Sequence, residues 1–470
     1  MKSLIPSNDA LSLFVDYYEM TSGKANLDNS MNPNVTENYF IRSIPEHLGS
    51  YLVVAGLEQV VDYIMRFRLG RKERQWLEEH AGGALDDEFL DYLEHMHFKG
   101  DLYAMPEGTL AMPNEPIINI TGPSIEVQLF ETYILNIMNF QTKIATKASR
   151  VVNAARGREV IEFGARRADG RDAAVLGVRA SYIAGVRASS LLLACKELGI
   201  PFSGTMPHKF VQERASELQA FRDYANSFPD SAVLLIDTYN TINGAKLASI
   251  VGKELAAKGH RLAGVRIDSG NLLTLSKKVR KILDSNGLHS TKIIASGDLD
   301  EYKIDYLLSH GAPIDSFGVG TRLITGANYN SNTGMGGVSA LGGVYKLVEV
   351  ERGGKMVNTL KVSDDKKKTT LPGRKQVYRR IKHGVFEADM IALWEEHLSK
   401  EWKPLLVPVI LKGRLVRKIP GLESIRKYYM NQISMLGEEY KKTSGARRYN
   451  VLLSRKLMKE TSLLTARFGG

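Results

Sequence analysis

Arg266 and Asp268 stand two residues apart in Arg266-Ile267-Asp268-Ser269-Gly270. In an extended strand that spacing puts both side chains on one face. A guanidinium can grip a phosphate through two parallel hydrogen bonds, and a carboxylate can accept from sugar hydroxyls or hold a hydrated magnesium ion. A buried Arg–Asp pair fits the same two residues. In Gly204-Thr205-Met206-Pro207-His208 an imidazole follows a hydroxyl by three positions. Such a histidine can act as acid, base or phosphoryl acceptor, or it can be structural. Phe163-Gly164-Ala165-Arg166-Arg167 sets an aromatic face near Arg166, which suits a flat anionic ligand. A core Phe with a surface Arg is the plain alternative.

Two glycine-bearing segments complete the set. Ser296-Gly297-Asp298 precedes a helical pattern, and Phe317-Gly318-Val319-Gly320-Thr321 ends a strand-like run. Glycine lets backbone N–H groups approach a phosphate, and a helix N-terminus adds a favourable dipole. Turn glycines without a ligand would look the same.

Each of these groups follows a short apolar run. The runs at 160–164, 201–205, 232–236, 264–267, 292–295 and 316–320 alternate with helical patterns at 171–198, 209–227, 245–258, 272–285 and 299–309. Strands alternating with helices predict a parallel β/α architecture, and this many units predict an irregular TIM-like α/β barrel rather than a Rossmann sheet. A barrel carries its chemistry at the C-terminal ends of its strands, where every group above falls. No GxGxxG follows a first strand and no GxxxxGK[ST] occurs, so neither a dinucleotide fold nor a P-loop is supported. Residues 1–125 alternate short apolar runs with turn residues and predict the first part of a second, smaller β-rich domain. Residues 126–344 hold the barrel. Residues 345–470 return to the β-rich domain and then become helical and basic. A helix is predicted over 57–69, another over 126–156, and β-hairpins over 100–120.

The chain has 470 residues, 43% apolar and 24% charged, which excludes disordered and fibrous classes. No apolar run reaches the roughly 18–20 residues that cross a bilayer, and no apolar leader is expected at the N-terminus. The single cysteine, Cys195, excludes an internal disulfide and a CxxC metal knuckle, which fits a cytoplasmic protein. The net charge is +11, and residues 351–470 carry 27 basic against 12 acidic side chains. The clusters at 366–368, 374–375, 379–382, 441–442 and 447–448 lack interleaved aromatics, so a solvated or ligand-steering face is expected rather than a nucleic-acid interface.

Eight motifs in order give a family resemblance. They are Asp16-Tyr17-Tyr18-Glu19-Met20-Thr21, Phe40-Ile41-Arg42, Ala55-Gly56-Leu57-Glu58, Phe163-Gly164-Ala165-Arg166-Arg167-Ala168, Gly204-Thr205-Met206-Pro207-His208, Ile236-Asp237-Thr238-Tyr239-Asn240-Thr241, Arg266-Ile267-Asp268-Ser269-Gly270 and Phe317-Gly318-Val319-Gly320-Thr321. Together they resemble nicotinate phosphoribosyltransferases over nearly the whole chain. The resemblance implies transfer of phosphoribosyl from phosphoribosyl pyrophosphate to nicotinate, with release of pyrophosphate, as an entry to NAD synthesis. It implies coupling to ATP hydrolysis through a phosphohistidine at His208. It also implies a homodimer in which Tyr18 reaches the neighbouring subunit and stacks the pyridine ring against Phe163. Arg266 and Asp268 would join His208 in catalysis. Arg166 and Thr205 would meet the nicotinate carboxylate or the phosphate beside it. Gly270, Ser296, Gly297, Gly318, Gly320 and Thr321 would hold the phosphoribosyl group. Mg2+ would sit on the pyrophosphate, with Asp237 or Asp298 near it. Nicotinamide phosphoribosyltransferases place an Asp after the Gly-Thr pair. Met206 stands there and favours an acid substrate. A nicotinamide or quinolinate enzyme, or a non-catalytic barrel with a nucleic-acid-associated C-terminal part, is the competing reading.

Overall fold

The structure is a computed structural model that describes residues 8–327, 340–363 and 369–468. The lysine cluster at 366–368 lies outside the described residues. The chain forms two compact units, one of residues 144–339 with 441–445, the other of the remaining residues.

The first of these is a parallel α/β unit. Its six-stranded sheet runs Ala188–Ser189, Glu159–Glu162, Ser316–Val319, Lys292–Ala295, Gly264–Ile267, Val233–Leu235, every neighbour parallel. Leu234, Val265, Ile293, Phe317 and Val319 are completely buried, as expected of strands covered on both faces. Among the described residues no ladder joins the two edge strands. The sheet is therefore a half-barrel in hydrogen-bonding terms, where an irregular TIM-like barrel was expected. The run at 201–205 supplies only one parallel bridge, Phe202 to Ser189.

Helices follow the strands at capped starts. Asn240, Asn271 and Asp300 each accept the backbone N–H three residues on, opening Thr241–Ala257, Leu272–Ser285 and Glu301–Ser309. Two long helical predictions fail. Residues 171–198 divide into helix Arg171–Ile183, strand Ala188–Ser189 and helix Leu192–Leu198, because Gly185 turns the chain at φ 103° and the strand finds a parallel partner. Residues 209–227 divide into His208–Gln212 and Glu217–Ser227, the second capped by Ser216. The start of Glu301–Ser309 is anchored from beneath. Glu301, fully buried, pairs with Lys147 at 2.5 Å and Arg150 at 3.1 Å, both on the long helix Glu131–Ala154.

The other unit interleaves both chain ends in one antiparallel sheet. Its order is Lys355–Asn358, Gly343–Arg352, Asn34–Ile41, Pro116–Pro123, Asp101–Ala104, Val407–Leu411, Arg414–Leu415. A four-stranded sheet adds Trp402–Pro404, Lys375–Lys382, Val385–Leu393 and Val451–Leu453. Helices at Tyr17–Asp28, Arg71–His80 and Asp87–His95 were not anticipated. The basic run at 374–382 departs from a solvated face. Lys375 and Arg379 are buried on one face of their strand. The Lys375 ammonium donates to the carbonyls of Leu371 at 2.9 Å and Gly373 at 2.5 Å. Burial lowers its pKa to about 7.

Candidate active site

The C-terminal ends of the parallel strands surround a cavity of about 610 Å³. Its lining comes from seven separate stretches of chain: Phe163 and Arg166; Ser190 and Leu191; residues 204–208; Leu235; Arg266 and Asp268; residues 296–298; and Gly318, Gly320 and Thr321.

Arg266 organises the centre. Its Nε donates to Ser296 Oγ at 2.8 Å, one Nη to Thr205 Oγ1 at 2.8 Å, and the other to Asp268 Oδ1 at 2.6 Å. Its guanidinium carbon lies 5.7 Å from the centroid of the Phe163 ring. Three bonds in three directions fix the orientation of this cation before any ligand arrives. Burial pushes the Asp268 carboxyl up, but the Ser296 hydroxyl and Arg266 outweigh it and hold the group below the ordinary range. Asp268 is thus an anion facing the cavity. Its Oδ2 lies 3.9 Å from His208 Nε2. His208 Nδ1 lies 3.0 Å from Thr238 Oγ1. Thr238 fixes one ring nitrogen and leaves the other toward the cavity.

The glycines have particular reasons. At Gly297, φ is +89° and a Cβ would lie 1.7 Å from the Asp268 carbonyl oxygen. Loop 296–298 can approach Asp268 only with glycine there. At Gly318 a Cβ would lie 2.4 Å from the Phe163 ring, so that ring packs directly against strand backbone. Asp298 is held by Arg322 through two bonds of 3.0 and 2.8 Å, which lowers its pKa. Asp237 stands behind the site. Its Oδ2 accepts from the Asp268 N–H at 2.9 Å and Ser269 Oγ at 2.6 Å. Its buried Oδ1 has no hydrogen-bond partner among the described residues.

Of the residues singled out in the sequence, His208, Arg266, Asp268, Phe163, Arg166, Thr205, Ser296, Gly297, Asp298, Gly318, Gly320 and Thr321 line this one cavity. Gly270 does not. Its φ of +78° turns the chain into helix Leu272–Ser285. Tyr18 belongs to the other unit, on helix Tyr17–Asp28, and is half exposed. Burial and the Glu131 carboxylate push its phenol up. Both readings of Arg266-Ile267-Asp268 hold in part: the two pair with each other and also face the cavity. Phe163 receives Arg266 rather than Arg166 as its nearby guanidinium. Sequence reasoning missed Thr238 and Arg322 as supporting groups and Ser190 and Leu191 as lining. Thr238 sits inside a quoted motif and was legible there. The others depend on chain segments that only the fold brings together.

A polar, cation-centred cavity rimmed by glycine loops at the C-terminal end of a parallel sheet defines an α/β protein built to hold an anionic small molecule. Family models match three successive stretches: the nicotinate phosphoribosyltransferase N-terminal domain at residues 13–139, the nicotinate phosphoribosyltransferase family at 159–389, and the C-terminal domain at 398–461. A nicotinate phosphoribosyltransferase of Mycobacterium tuberculosis is 41% identical over 431 residues, covering 91% of this chain and 88% of its own. One from Bacillus subtilis is 39% identical over 472 residues, covering 95% and 94%. The crystal structure of human nicotinic acid phosphoribosyltransferase superimposes with a TM-score of 0.80 at 25% identity, covering 96% of this chain and all of that one. This chain belongs to the nicotinate phosphoribosyltransferase family.

Proposed function

We propose that the protein transfers the phosphoribosyl group of phosphoribosyl pyrophosphate to nicotinate, giving nicotinate mononucleotide and pyrophosphate for NAD synthesis in the cytoplasm. One observation carries this reading: Arg266, Asp268, His208, Phe163 and both glycine loops converge on a single cavity. In the reaction the pyridine nitrogen lone pair forms a bond to the anomeric carbon as the bond to the pyrophosphate oxygen breaks. Positive charge builds on the ribose and negative charge on the leaving group, so fixed charges and positioning do most of the work. Arg266 faces the leaving pyrophosphate. Asp268 accepts from ribose hydroxyls and faces the developing cation. The backbone at 297, 318 and 320, with Ser296 and Thr321, holds the 5-phosphate. Phe163 supports the pyridine ring, and Arg166 with Thr205 serves its carboxylate.

Magnesium fits one of the two carboxylates considered for it. The orphaned, buried Oδ1 of Asp237 calls for a cation or a water shell. Asp298 is already satisfied by Arg322. Bound with the pyrophosphate, the ion would supply leaving-group charge neutralisation. We assign the ATP-derived phosphoryl group to His208 Nε2, since Nδ1 is engaged by Thr238. The phosphoryl would leave the γ-position of ATP for Nε2 and later pass to water. It adds about −2 of charge beside Asp268 and so alters substrate affinity. We place Tyr18 at the active site of a second copy in a homodimer; its half-exposed ring supports this. We also read the half-barrel with its Phe202 bridge as an irregular barrel.

The test is pyrophosphate release from nicotinate, nicotinamide or quinolinate, each with phosphoribosyl pyrophosphate and with or without ATP. Nicotinate should be the preferred acceptor. Preference for either other ring overturns the substrate assignment, and no release with any of them removes the enzyme reading.

A further inference from the structure

Glu162 has no role in the scheme above, yet it is fully buried at the C-terminal end of the strand Glu159–Glu162. Its two carboxylate oxygens serve two different segments. Oε1 accepts from the backbone N–H of Gly164, in the turn that delivers Phe163. Oε2 accepts from Ser189 Oγ at 2.7 Å, and that hydroxyl oxygen accepts from the N–H of Leu191 at 3.1 Å. The Glu162 carbonyl adds a bond from the Ser190 N–H at 3.0 Å. Phe163, Ser190 and Leu191 all line the cavity. One side chain therefore fastens two of its walls.

An apolar residue would fill this position without the cost of desolvating an acid. Burial does raise the Glu162 pKa, with the Ser189 and Gly164 bonds opposing. A buried acid is offset only by the bonds it accepts, and here those bonds go to the site walls rather than to an arginine or lysine.

We propose that Glu162 is a positioning residue that sets the ring-binding end of the cavity by pinning the Phe163 turn and the segment 189–191 to one strand end. This rests on the reading that the pyridine ring binds against Phe163. A glutamine at 162 still accepts from the Gly164 N–H and can donate to the Ser189 hydroxyl, so it preserves the clamp, whereas a leucine accepts from neither and loses both side-chain bonds. Alanine at 189 leaves the Phe163 turn held and releases only the Leu191 side.

Two measurements on the full-length protein test this. Hydrogen exchange reads the clamp itself. Glu162→Leu should accelerate exchange about tenfold in peptides covering 163–167 and 189–192, Ser189→Ala only in the second, and Glu162→Gln should stay near the wild type. Steady-state kinetics reads the consequence. Glu162→Leu should raise KM for nicotinate about tenfold while KM for phosphoribosyl pyrophosphate stays within about twofold, with Ser189→Ala intermediate and Glu162→Gln close to the wild type. Unchanged exchange in both segments of Glu162→Leu overturns the clamp. Equal rises in both KM values, with a lowered melting temperature, overturn the positioning role in favour of general stability. If the wild type releases no pyrophosphate, the substrate reading fails on its own, and the exchange result alone upholds or overturns the clamp.

Discussion

Two of the Arg–Asp pairs in the molecule, one in each unit, do different things. Arg379 donates from Nε and one Nη to the two carboxylate oxygens of Asp389 at 2.9 and 2.5 Å, with side-chain exposures of 2% and 0%. Leu110 O, Gln432 Oε1 and Tyr449 OH take up the remaining capacity. Arg266 and Asp268 pair at 2.6 Å, but their exposures are 17% and 30%, and their other partners are small hydroxyls on loops. The first pair is closed on every side by sheet and helix. The second is held from behind and open in front. A paired charge signals a binding site when one side of it is left to solvent, not because it is paired.

The largest effects should separate the two pairs. Arg379→Ala leaves Asp389 buried without its counter-ion and should cost about 3–5 kcal/mol of stability in denaturant titrations. Arg266→Ala should keep the melting temperature within a few degrees yet cut kcat/KM for phosphoribosyl pyrophosphate about 10³-fold. If both variants lose the same stability, the contrast fails.

Asp268→Asn should lower kcat/KM about 10²-fold if the proposed ribose contact holds, because the amide keeps the shape and removes the charge facing the cavity. Unchanged kinetics would place the ribose elsewhere.

His208→Ala should retain basal transfer while the ratio of rates with and without ATP falls to about one. Persistent stimulation by ATP would move the phosphoryl acceptor to another residue.

The smallest effect lies in the closed pair. Burial, and then the neighbouring Asp389, push the Glu115 carboxyl well above its ordinary value of 4.5. The fold therefore keeps this proton to higher pH than the unfolded chain does. Wild-type stability drops as pH rises above the unfolded value. Glu115→Gln mimics the protonated acid without titrating. Its melting temperature relative to wild type should rise by a few degrees between about pH 5 and about pH 8.5. A pH-independent difference would contradict this.

Much of the site was legible because strand ends in parallel β/α units deliver their polar residues to one rim. Residues 163–168, 204–208, 266–268, 296–298 and 317–321 each follow an apolar run, and that regularity located them without coordinates. Thr238 was visible in its motif but had no marked partner. Glu162 and Arg322 could not be found this way. A buried acid on a strand and an arginine at the second position of a short helix look like ordinary residues until Gly164, Ser189 and Asp298 come within reach. Helix breaks at 185 and 213–216 were hidden because continuous helical periodicity spans a short edge strand or a tight turn.

The sequence by itself determined the alternation of strand and helix, the chemistry of each loop and the family, since all three are written in local order and spacing. The tertiary structure decided which Arg–Asp pair is open and which is closed. It also decided which glycines make room for a ring or a carbonyl, and that Gly270 is a turn while Gly297 is a wall. Those outcomes depend on burial and on atoms distant in the chain, and no local spacing encodes how much of a charge the rest of the protein leaves uncovered.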